Sequence, residues 1–118
     1  MPPRTAGRFN PDVTHYAILC VHDGLGYFAE RSLEVSASRE AAIADIMAGQ
    51  VDGVEKVLCF NPAEHIADDV TEEIAIEIVN RLDPASPIRP ELRDFIEANA
   101  GLDYARGLAV DDRSFAAA

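Results

Sequence analysis

Cys20 and His22 stand two residues apart on one apolar run, and Cys59 is followed six residues later by His65. Two thiols and two imidazoles are the right inventory for tetrahedral zinc. The spacing is not: structural sites draw two ligands from one tight turn, whereas Asn61-Pro62 interrupts the Cys59–His65 interval. Cys20, His22, Cys59 and His65 are thus the candidate ligands to check. The expectation is two reduced, unbridged thiols, no metal and no cofactor.

The second group is acidic. Glu64, His65, Asp68, Asp69, Glu72 and Glu73 place six titratable side chains within ten residues. Such a cluster can hold a divalent cation or shift its members' pKa values, which would make a small metal-dependent enzyme centred on His65. It also lies where a helix is expected to start, and carboxylates are favoured there by unpaired amides and the helix dipole. Nucleophilic catalysis finds no Gly-x-Ser-x-Gly elbow. Asp23-Gly24-Leu25-Gly26 joins two strand-like runs and does not open a helix, so it is no phosphate loop. The chain is therefore read as non-enzymatic. Tyr16, Tyr27 and Phe28 could stack bases on an open sheet, but no basic residues flank them, which favours packing against the core or a partner.

The elements that must position these residues follow from pattern. The chain has 118 residues, 48% of them apolar, and a formal net charge of -11. That length suits one domain. Residues 1–12 hold three prolines and a glycine without periodicity and are expected to be a mobile arm, residues 13–101 the domain, and residues 102–118 a C-terminal tail. Thr14–His22 reads as a strand apolar on both faces, hence central. Asp-Gly at 23–24 signals a hairpin to a second strand, Tyr27–Val35, whose charged face suits an edge. Ser36 or Ser38 can cap a helix over 37–48 that Gly49 ends. Val54–Phe60 is the third strand. Asp69-Val70-Thr71-Glu72 resembles a capping box opening a helix with Val70, Ile74, Ile78 and Leu82 as its buried stripe. Pro90 starts a third helix, with Leu92, Phe95 and Ile96 on one face and Gly101 as its stop.

The hairpin and a helical crossover together imply a β-β-α-β-α-α domain of the α+β class. Its sheet has three strands in the order 2-1-3, with the helices packed on one face. The other face, and the first strand's Tyr16 and Ile18, then need cover from the third helix or from another chain.

Charge and targeting narrow the partners. No run approaches the ~18 apolar residues of a membrane span, and the first residues lack the apolar core of a signal peptide, so a cytoplasmic location is expected. Net negative charge disfavours direct nucleic-acid or membrane binding. Residues 40–77 alone carry ten acids against Lys56, whereas residues 1–39 balance. The first reading is therefore a self-associating interaction domain, a homodimer built on the sheet face or edge. Its interaction residues would be Tyr16, Ile18, Tyr27 and Phe28, with Leu92, Phe95 and Ile96 from the third helix. The alternative is an acidic inhibitor that occupies a basic, nucleic-acid-binding surface of a partner protein, using Glu64, Asp68, Asp69, Glu72 and Glu73.

Two resemblances accompany this reading. Glu40-Ala41-Ala42, Phe60-Asn61-Pro62-Ala63-Glu64 and Asp69 to Ala75 resemble segments of small uncharacterised proteins of GC-rich proteobacteria, which implies no function. Tyr16 to Ala29, with Asp23-Gly24 and Gly26-Tyr27-Phe28, resembles the hairpin of HicB-type antitoxins. The Pro-Gly-Cys turn and the Gly-x-Thr-x-x-Glu-Ala helix start of that family are missing here. The likeness implies at most a role in neutralising a toxin.

Overall fold

A computed structural model describes residues 12–51 and 53–111. The expected arm, apart from Asp12, and the end of the expected tail, residues 112–118, lie outside the described residues. The fold is α+β. Strands β1 (His15–His22), β2 (Leu25–Phe28), β3 (Val54–Asn61) and β4 (Ile66–Asp69) form an antiparallel sheet in the order β2-β1-β3-β4. Helices are α1 (Leu33–Ser36), α2 (Arg39–Ala48), α3 (Thr71–Arg81), α4 (Pro90–Ala100) and α5 (Leu102–Ala105).

The β1–β2 turn is set by chain chemistry. Asp23 and Gly24 have φ of 53° and 79°, the paired positive values that a two-residue hairpin loop needs. The register runs from His22 opposite Leu25 to Leu19 opposite Phe28. β1 is central, as its two apolar faces implied, and β2 and β3 flank it.

Two expectations about the sheet are corrected. It has four strands, not three: the chain turns through a 3-10 segment, Pro62–Glu64, and pairs Ile66–Asp69 with the end of β3. The second strand also stops at Phe28 and does not reach Val35. Arg31 turns inward, where its guanidinium meets Asp45 at 3.2 Å and donates to the Tyr16 carbonyl at 3.0 Å. Ser32 then accepts from the Val35 amide and starts α1. The polar alternation that looked like an edge strand is thus divided between a half-buried ion pair and a helical turn.

One sheet face supplies Ile18, Cys20 and Val57 to a core completed by Ile43 and Ile46 of α2, Ile74 and Ile78 of α3, and Leu92, Phe95 and Ile96 of α4. Ser38 caps α2 through the Ala41 amide, and Gly49, left-handed, ends it. Arg89 packs on Gly49 and donates to the Ile46 and Met47 carbonyls, placing a cation at the negative end of the helix. Residues beyond 101 also join the body: Ala105 is buried, and Ile88 and Val110 form a β-bridge.

The opposite face carries Ala17 and Leu19 beside Leu58 and Phe60, as the register dictates. His15, at the end of this face, is buried. It stacks on Phe60 with ring centroids 5.6 Å apart. Ser36 Oγ donates to the Leu33 carbonyl and so accepts from His15 Nδ1, at 2.9 Å. Among the described residues no helix is long and apolar enough to cross a membrane.

Candidate functional site

The four candidate zinc ligands are not brought together. Cys20 pairs with Val54 and Cys59 with Tyr16, so the two thiols lie four residues apart along the sheet, roughly 13 Å at strand rise. His22 is exposed beside the hairpin turn, near Asp23. His65 sits at the far edge of the sheet, closing the β3–β4 turn at φ 57°. Cys20 and Cys59 are not joined by a disulfide. Burial, and next the Asp68 carboxylate, push the Cys59 thiol above its usual pKa. Among the described residues no three His, Cys, Asp or Glu side chains are grouped to hold a metal ion.

The acidic run is distributed over a turn, a strand and a helix start. Glu64 accepts from the Asn61 side chain in the 3-10 turn. Asp68 and Asp69 are on β4, and adjacent strand residues point to opposite faces. Asp69 accepts from the Thr71 amide at 3.0 Å and from the Thr71 hydroxyl, and pairs with Lys56 at 3.3 Å. The Thr71 bonds first, and then Lys56, hold the Asp69 carboxyl below its usual range. The expected capping box with Asp69 as its cap is not formed: the N-cap position of α3 is Val70, which makes no side-chain capping bond, and Asp69 instead closes a local i, i+2 turn with Thr71. Glu72 and Glu73 are exposed on the first turn of α3.

The interaction residues separate into two groups. Ile18, Leu92, Phe95 and Ile96 are buried in this chain's own core, and the third expected helix packs against α3 and α5 of its own chain, so its apolar side is not a free surface. Tyr16 is half-buried against that core. Tyr27 and Phe28 remain outside, 48% and 58% exposed, and the sequence reading missed their companions Leu25 (73%) and Val21 (37%). All four belong to the β1–β2 hairpin. The signal for Leu25 was its place directly after the Asp-Gly turn, where β2 begins.

The hairpin also presents an unpaired strand edge. The Ala29 amide donates to the Ile18 carbonyl at 2.8 Å. In an antiparallel ladder hydrogen-bonded residues alternate. Leu25, Tyr27 and Ala29 therefore bond inward to β1, while Gly26 and Phe28 turn their amides and carbonyls away from the sheet. The other edge, β4, carries Asp68 and Asp69, and charged side chains discourage strand addition. From Leu25 to Ala29 the β2 edge has no charged residue.

A cleft of about 620 Å³ opens where α4 faces the end of α2 and the start of β3. Leu92, Phe95, Ile46 and Val54 give it an apolar floor. Its two cations are engaged: Arg89 with the α2 carbonyls and Lys56 with Asp69. No family model, curated protein or solved structure matches this chain.

Proposed function

We propose that the protein is a non-enzymatic interaction module of the cytoplasm that associates with a second copy of itself through the β1–β2 hairpin. The observation that carries this reading is the edge strand β2 itself, whose Leu25 and Tyr27 are exposed on one face and whose Phe28, next to Val21 of β1, is exposed on the other. Large apolar side chains scattered singly on a surface need no explanation, but several contiguous ones along an open strand do. The test is sedimentation across micromolar concentrations at physiological salt. Association predicts a species of twice the 12.8 kDa chain mass, lost in Phe28→Lys. A monomer at every concentration refutes it.

A second reading rests on the sheet order. β4 and the start of α3, with exposed Asp68, Asp69, Glu72 and Glu73, lie at the edge opposite β2. That acidic margin stays open when β2 is occupied, and it suits a basic protein partner. Such binding weakens as salt rises, because exposed charges are screened, whereas apolar association at β2 does not. Neutralising Asp68 to Asn with Glu72 and Glu73 to Gln, which leaves the Asp69 bonds to Thr71 and Lys56 intact, should abolish the salt-sensitive component.

A further inference from the structure

We infer that two copies join by antiparallel pairing of β2 with β2, centred on Tyr27, so that their sheets continue as one of eight strands. This inference rests on the self-association proposed above and supplies its geometry. The backbone fixes the register. Only Gly26 and Phe28 of β2 present outward amides and carbonyls, and a two-fold pairing that uses all of them sets Gly26 opposite the partner's Phe28. The result is four interchain hydrogen bonds, two at each Gly26–Phe28 pair. A register centred on Gly26 would instead engage Gly24, which has left β geometry with φ at 79°.

The side chains agree with the same register. Directly opposed residues share a face, so each Phe28 ring lies over the partner's Gly26. A side chain at Gly26 would point toward Leu19 Cδ1, 3.7 Å from its own Cβ position. The partner's Phe28 ring fills that space and packs on Leu19, an aromatic covering a strand glycine. On the other face Tyr27 meets the partner's Tyr27 in the closer, non-hydrogen-bonded type of pair, and Leu25 meets the partner's Ala29.

The edge suits a second copy because it is self-complementary: each copy offers both an uncovered Gly26 and the Phe28 ring that covers the partner's. Each chain carries -11, and residues 40–77 hold ten acids, yet residues 24–29 carry none. Asp23 and Glu30 flank that uncharged stretch.

Single cysteines on a background lacking both native thiols, Cys20→Ala with Cys59→Ser, test the register under mild oxidation; Cys20 must go because it lies opposite Tyr27 in the hairpin. Tyr27→Cys places the two Cα atoms roughly 4.5 Å apart, within disulfide reach. Leu25→Cys offsets them by four residues, roughly 13 Å. The expected result is efficient dimer cross-linking for Tyr27→Cys and little for Leu25→Cys, with circular dichroism unchanged in both. A sedimenting dimer in which Tyr27→Cys does not cross-link overturns the edge pairing and leaves self-association standing. A monomer throughout overturns both.

Discussion

Replacing Gly53 by Ala probes the contact that seats the hairpin on the rest of the sheet. Gly53 has φ of 66°, and a β-carbon there would lie 2.4 Å from the Val21 carbonyl oxygen, a backbone atom that cannot turn aside. Its own carbonyl accepts from the Val21 amide at 2.8 Å. The left-handed conformation costs an alanine roughly 1–2 kcal/mol. Moving the segment away to relieve the contact also forfeits a hydrogen bond worth about 1 kcal/mol. Together the loss should be about 2–3 kcal/mol, or roughly 10–15 °C in Tm for a domain of this size. Gly24→Ala supplies the control: φ is 79°, and nothing lies within 4 Å of the added carbon. It should lose only the conformational part, roughly 1–2 kcal/mol. Urea unfolding followed by circular dichroism measures both, provided the slopes match that of the parent. If the two variants lose the same stability to within about 0.5 kcal/mol, the close approach of Gly53 to β1 is not what holds this end of the sheet.

Other perturbations should behave as follows. Asp45→Ala strands the Arg31 guanidinium, whose side chain is only 6% exposed, and should cost about 3 kcal/mol in chemical denaturation. Arg89→Ala removes the two carbonyl contacts at the end of α2 and should cost about 1–2 kcal/mol, with Arg89→Lys recovering only part in the same assay. For pH, the Asp69 carboxyl is depressed in the folded chain, so the unfolded chain takes up its proton first. Its contribution is fully present above the ordinary value of 3.8 and is lost as pH falls through the lower folded value. Thermal melts from pH 5 to 2 should show that decline flattened in Asp69→Asn, modestly, because the side chain is half-exposed.

The sequence by itself determined what local chemistry controls. Asp23-Gly24 specified the hairpin turn, since two successive positive φ values leave few residue choices. Ser38 and Gly49 marked the ends of α2, and Pro90 with Leu92, Phe95 and Ile96 marked α4 and its buried side. The apolar character of both faces of β1 placed it inside the sheet with β2 and β3 as neighbours. The order survived even though the strand count did not. The folded chain decided the rest. Ile66-Ala67-Asp68-Asp69 has neither alternation nor β-branched density, and every one of its side chains is exposed. It is a strand because the 3-10 turn returns the backbone beside β3, where main-chain hydrogen bonds are satisfied regardless of side chain. Arg31 looked like one more polar position on an alternating strand. Asp45, fourteen residues away, and the Tyr16 carbonyl draw it inward and end β2 at Phe28. That early ending gives the candidate surface its form. The charged residues Glu30, Arg31 and Glu34 leave the strand, and the edge that remains is Leu25 to Ala29. Alternation reports which face a side chain takes if a strand continues. Whether it continues is decided by partners distant in the sequence, which local pattern does not contain.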